Sequence, residues 1–250
     1  MLAANYLLAV TISFVRMESY SELLLPSGAV VLAVSLGALF IICYVLMNYV
    51  ITKLGISLTV SLSRLSLVIP TLGSIFLFSE AVTGTKLPGL IIAFLILPFS
   101  AKEIPDRENI RRLLHGGLGW GLLMFLLFGL NDFIFKLKGE FYRGVDNNAF
   151  LVYVYLISFI LSLLFIKMRR SKVSLSTLGL GLLFGCVNYL AAHFFLLAVE
   201  ELPGMLAYPL NGILIILITT TSSIFIWRER LKRHNLLFLA GAIVAIWLLF

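Results

Sequence analysis

Charge is scarce in this chain. Asp, Glu, Lys and Arg make up 12% of its 250 residues and apolar residues 61%, against about 25% and roughly 45–50% in a soluble domain. That balance excludes a soluble globule. Cysteine is scarce too: Cys43 and Cys186 both fall inside apolar runs, where they read as small buried hydrophobes and supply neither a disulfide framework nor metal-ligand spacing. Catalytic motifs are missing as well. The sequence holds no Gly-rich loop ending in Lys-Ser/Thr, no His-Glu-x-x-His, no Gly-x-Ser-x-Gly and no pair of carboxylates on one helical face. These absences argue against ATP hydrolysis and against an intramembrane enzyme, and imply no cofactor and no metal. The formal net charge of +7 does not signal nucleic acid, because the basic residues sit in short connections between apolar runs, where they orient a membrane protein.

What is present is a series of apolar segments, most close to the ~20 residues that cross a bilayer as a helix. They run Leu2–Val15, Gly28–Ile51, Ser57–Phe78, Leu87–Ala101, Gly116–Phe135, Ala149–Ile166, Leu178–Val199, Gly204–Trp227 and Leu236–Phe250. The runs are continuous rather than alternating, which excludes the strands of a membrane barrel. The expected fold is all-α, a bundle of nine transmembrane helices. Lys and Arg alternate between loops: thirteen fall after segments two, four, six and eight, and five after the others, counting Lys136, Lys138 and Arg143 as one loop. The richer set is therefore expected in the cytoplasm. The first segment is short and carries no positive flank, so it does not read as a signal peptide.

A repeat is visible across the two halves. Gly55 leads into an apolar helix ending Phe-Leu-Phe-Ser-Glu80, then a polar turn, Pro88-Gly89 and a short apolar helix. In the second half, Leu202-Pro203-Gly204 leads into a helix ending Phe-Ile-Trp-Arg-Glu229, then a basic turn and a helix containing Gly241. The glutamates lie five spans apart, so the repeats are expected in opposite orientation, the arrangement many transporters use. The expected organisation is an N-terminal repeat over 1–101, a cytoplasmic connection over 102–115 and a C-terminal repeat over 116–250, with four spans and five. A five-helix unit would then lack its first helix in the first repeat.

Ile69-Pro70-Thr-Leu-Gly-Ser-Ile-Phe-Leu-Phe-Ser-Glu80, continuing through Gly84 to Leu87-Pro88-Gly89, resembles the drug/metabolite transporter superfamily in its EamA-type branch. The resemblance covers nearly the whole chain, with a degenerate motif and no second-half proline equivalent to Pro70. It implies a permease with ten helices in two inverted repeats, moving a small molecule by alternating access across the cytoplasmic membrane of a bacterium. Family members commonly keep both termini in the cytoplasm, whereas the loop charges of a ten-helix parent here place them outside.

Ionisable and polar side chains inside spans are costly in hydrocarbon, so each is a candidate for the solute pathway. Ser57, Ser61, Arg64 and Thr71 are spaced to share one helical face, expected to line a wet cavity. Arg64 either clamps an anionic solute group with its planar fork or forms half of an ion pair with Asp132. Asp132, beside Asn131 and close to the end of its span, is a solvated interfacial carboxylate or one satisfied by Lys136 one turn on, or else it faces the cavity and takes a coupling proton or cation. Asn188, Tyr189 and His193 form a further group, with His193 either a proton relay or an interhelical hydrogen-bond partner. Tyr208 and Asn211 lie beside Pro209 and Gly212, expected to loosen their helix; Tyr44 and Asn48 complete the set. Glu80 and Glu229 are expected at the interface or capping a neighbouring helix. Trp120 and Trp227 are expected in an interfacial belt. The partners implied are a small molecule, the lipid bilayer and a proton or cation.

The charge count makes a direct prediction for the 102–115 connection. With Cys43 and Cys186 replaced, a cysteine at Asn109 should resist an impermeant thiol reagent added to intact cells; ready labelling overturns the orientation.

Overall fold

The computed structural model describes residues 1–17, 19–97, 108, 111, 113–169, 175–225 and 233–249. Among the described residues every regular element is helical. The helices are α1 (Leu2–Val15), α2 (Ser27–Leu54), α3 (Ile56–Leu65), α4 (Val68–Leu77), α5 (Lys86–Ile96), α6 (Leu118–Phe141), α7 (Asn147–Arg169), α8 (Leu175–Glu201), α9 (Gly204–Phe225) and α10 (Arg233–Leu249). A 3-10 turn spans Tyr20–Leu23, and a π-helical turn, Leu113–Gly117, precedes α6. Helices are what such runs must form, because only a helix satisfies its backbone within one segment when no water is present.

Six stretches are long and apolar enough to cross a membrane: Ser27–Leu54, Ile56–Leu77, Leu118–Phe141, Asn147–Met168, Thr177–Glu201 and Gly204–Ser222. Leu2–Val15, Lys86–Ile96 and Ala240–Leu249 are apolar but shorter. Large side chains stay exposed along them, among them Val31, Phe76, Leu95, Phe194 and Trp247, which suits surfaces wetted by lipid tails. Lys53, at the end of α2, lies 5.5 Å from the Tyr49 ring centre, and Tyr49 packs edge-on against Trp120 at 4.7 Å. That grouping of cation and amphipathic rings fits an interfacial belt. Trp227, Glu229 and most of the 102–115 connection lie outside the described residues.

Three expectations are corrected. The third segment is not one helix but two, α3 and α4, broken at Ser66 and Leu67. Pro70 is the cause: it lacks the N–H that would reach the Ser66 carbonyl, and its ring crowds that carbonyl. The Ser66 carbonyl instead accepts from the Ile69 N–H at 3.0 Å. Lys136 and Lys138 are not loop residues; both lie in α6 and are buried. Cys186 is exposed on α8, whereas Cys43 is buried as expected.

The chain divides into two compact units, Met1–Val45 with Ile134–Glu201, and Leu46–Phe133 with Leu202–Phe250. In the first, α1 packs on α7 and α8, and glycines let it approach. A Cβ on Gly181 would lie 2.5 Å from the Met1 carbonyl oxygen and one on Gly185 2.5 Å from that of Asn5. This is the small-residue packing that membrane helices use where lipid gives no hydrophobic drive. Tyr6 stacks on Phe40 and Tyr155 at 6.5 and 6.3 Å between ring centres, and Phe40 meets Tyr155 at a tilt, 6.2 Å apart.

In the second unit the short helices α5 and α10 pack on each other. Gly89 meets Leu248 and Leu249, and Ala93, Ala242 and Ala245 are fully buried. Leu90, Ile96, Met205, Leu206 and Ile213 complete that core. A second cluster joins Leu46, Val50, Leu54, Leu58 and Met124.

Gly185 and Gly179 make a matched test. Both are helical, so alanine gains about 1 kcal/mol of propensity at either, but only Gly179 has nothing within 4 Å of a Cβ. Gly179→Ala should hold or raise the thermal midpoint in detergent. Gly185→Ala should lower it, since close packing against backbone costs about 1–3 kcal/mol.

Candidate functional site

In the second unit, contacts set α4, α6 and α9 in register. A Cβ on Gly129 would strike Ile69 and one on Gly73 would strike the Phe133 ring, so α4 rises beside α6. Gly212 closes on Leu67 while Glu80 binds the start of α9, so α4 and α9 run in opposite directions. Ser74, Asp132 and Tyr208 consequently share one level. The Tyr208 hydroxyl donates to the Asp132 carbonyl at 3.0 Å, and the Asn131 amide donates to Asp132 Oδ1 at 3.3 Å. Because a carboxylate only accepts, that bond fixes the amide orientation and leaves Asn131 Oδ1 as an acceptor.

Among the described residues, two buried polar atoms at this level find no hydrogen-bond partner, Ser74 Oγ and Asn131 Oδ1. Each unmet group costs about 1–3 kcal/mol, an expense that marks a place where a ligand or water belongs. Arg64 and Asp132 act on one another electrostatically. Of the alternatives for Asp132, the pair with Lys136 is not the ion pair formed: Lys136 pairs with Glu140 one turn further on, while Arg64 acts on Asp132 electrostatically.

The Ser57, Ser61, Arg64, Thr71 stripe does not survive intact, since the break before Pro70 interrupts the angular progression that a continuous helix would give. Ser61 and Thr71 are buried, their hydroxyls donating back to Ser57 O at 3.0 Å and Leu67 O at 2.8 Å. Arg64 is half-buried, as is Asn211, one turn beyond the fully buried Tyr208. Pro209 lies inside α9 without ending it, and Gly212 serves close packing, its absent Cβ leaving room for Leu97 at 2.5 Å. Asn48 is exposed on α2 in this unit. Glu80 meets expectation: its carboxylate accepts from the N–H groups of Gly204 and Met205, each at 2.7 Å, capping α9.

The remaining candidates belong to the first unit. Tyr44 is exposed there. Asn188 donates to Asn5 Oδ1 at 3.3 Å, while its backbone carbonyl accepts from the Tyr155 hydroxyl at 3.0 Å. Tyr189 donates to Asn148 Oδ1 at 2.8 Å, and the Asn148 amide donates to the Arg16 carbonyl at 3.1 Å. His193 stacks on Tyr189 at 5.5 Å, with Nδ1 buried and unpartnered. This network binds the end of α1 to α7 and α8. Nearby, Lys138 donates to Glu200 and Asn147, and to the Val145 carbonyl at 2.9 Å. Asn147 returns a bond to Glu200 Oε2 at 2.9 Å.

Sequence reasoning missed Ser74, Asn5, Asn148 and the Lys138–Glu200 pair. Asn5 was legible as an amide inside an apolar run, while a serine in Gly-Ser-Ile carries no such signal. Among the described residues no group of three His, Cys, Asp or Glu stands together to hold a metal.

No family model matches the chain. It is similar to an uncharacterized protein of Haemophilus influenzae (strain ATCC 51907 / DSM 11121 / KW20 / Rd), 23% identical over 263 aligned positions that cover all of this chain and 87% of the relative. That likeness carries no activity across.

The Lys138 cluster is open to a double-mutant cycle. Lys138→Met should destabilise by about 3–5 kcal/mol, because it strands the Glu200 charge. Adding Glu200→Leu should recover most of the loss in thermal midpoint; an unchanged deficit would show that the two side chains do not act as a pair.

Proposed function

We propose that the chain is a secondary carrier, not an enzyme, that crosses the membrane nine times and moves a small polar solute by alternating access. The carrying observation is the polar level of the second unit, where Ser74 Oγ and Asn131 Oδ1 are buried without partners among the described residues beside Asp132, with the half-buried Arg64 in the same unit acting on Asp132 electrostatically. Groups so costly in hydrocarbon persist where a pathway needs them. The EamA-like pattern around Pro70 and Glu80 supports the same reading and suggests inverted repeats in a bacterial cytoplasmic membrane. Arg64 takes an anionic group of the solute by its guanidinium fork. Asp132 takes the coupling proton or cation, which supplies the gradient that a chain without an ATP-binding loop requires.

Vesicles containing the purified chain, given a metabolite mixture and read by mass spectrometry, should concentrate or release particular solutes that empty vesicles do not. Arg64→Met should abolish that movement while the thermal midpoint stays within a few degrees, and Arg64→Lys should weaken it. The reading fails if Arg64→Met instead lowers the midpoint and Asp132→Asn restores it, because Arg64 is then half of a structural pair.

A further inference from the structure

The connection between α4 and α5, residues 78–85, forms no helix; Ser79, Ala81, Thr83, Gly84 and Thr85 are exposed. Ser79 sits at φ 54°, in the left-handed region that disfavours a residue with a Cβ. Such a conformation persists only where neighbouring contacts impose it. Glu80 supplies those contacts. Its carboxylate binds the Gly204 and Met205 N–H groups, and its own N–H donates to the Ser74 carbonyl at 3.4 Å. Ser74 is fully buried, with its hydroxyl unpartnered at the level of Asp132 and Tyr208. Val82, further along, packs on the α5–α10 core. The segment is thus anchored at Val82 and fastened at Glu80 both to the start of α9 and to the backbone of Ser74, the residue that carries the unsatisfied hydroxyl.

We propose that residues 78–85 are a strap that closes the polar level of the second unit, with Glu80 as its latch on the N-terminus of α9. The bonds holding the latch are ones that water can replace, and its release relieves the left-handed Ser79 while Val82 remains seated. Opening then admits water and solute to Ser74 and Asp132. The strap takes its purpose from the carrier reading, but its test needs no solute. A carrier without a strap would move solute while Ser74 stays closed, and a strap without transport would open with no uptake.

The reporter is Ser74→Cys in the full chain with Cys43 and Cys186 replaced, reacted with a water-soluble maleimide in detergent or nanodiscs. Met124→Cys, equally buried in the same unit, is the control. Glu80→Gln keeps the shape of the latch and removes its charge. It should raise the labelling rate at position 74 by about tenfold or more, leaving position 124 slow, as local opening requires. No rise at position 74, or an equal rise at both positions, overturns the strap and leaves Glu80 a cap alone. In the unsubstituted chain, amides of residues 80 and 205 should exchange with deuterium together and ahead of those around Met124. Separate exchange of the two also overturns it.

Discussion

Hydrocarbon offers no hydrogen bonds, so every polar group within it must find a partner inside the protein or remain at a cost. The backbone meets this demand by forming helices, and several serine and threonine side chains meet it by turning to their own backbone. Ser13, Thr59, Ser61, Thr71 and Thr219 all donate to a carbonyl four residues back. Against that rule the few exceptions stand out. Among the described residues Ser74 Oγ, Asn131 Oδ1 and His193 Nδ1 are buried without a partner, and the first two share a unit with Arg64 and Asp132.

The same solvent weakens the drive for helices to associate, so packing has to supply it. Gly181, Gly185 and Gly37 allow backbones to approach in the first unit, as Gly89 and Gly129 do in the second. Polar bonds then fasten what small residues bring near: Asn5 to Asn188, Ser158 to the Gly37 carbonyl at 3.0 Å, and Glu80 to the start of α9. Glu80 joins local geometry to the polar level, since the same residue caps one helix and holds the strained turn after another.

Much was legible from the order of residues alone. Each expected apolar segment falls on a described helix, except that the third falls on two, and α1 matches Leu2–Val15 at both ends. From its place at a span end, Glu80 could be read as either an interfacial residue or the cap of a neighbouring helix, and the cap is what the fold makes of it. The errors have physical causes. Pro70 was seen but not its consequence, the break that separates Arg64 from Thr71 on what had been read as one face. Lys136 and Lys138 were assigned to a loop because lysine is rarely buried without a partner; Lys136 finds Glu140 one turn on, whereas Lys138 depends on Glu200, distant in sequence.

Composition and the length of apolar runs determined by themselves that the chain is helical and lives in a membrane, because hydrocarbon permits little else and the requirement is met residue by residue along one segment. Tertiary structure decided which polar side chains are satisfied. Tyr208 reaching the Asp132 carbonyl and Ser74 finding nothing depend on where α4, α6 and α9 come to lie beside one another, through Gly73, Gly129 and Gly212. Those contacts join positions far apart in the chain, and a helical period read along one segment carries no information about its neighbour.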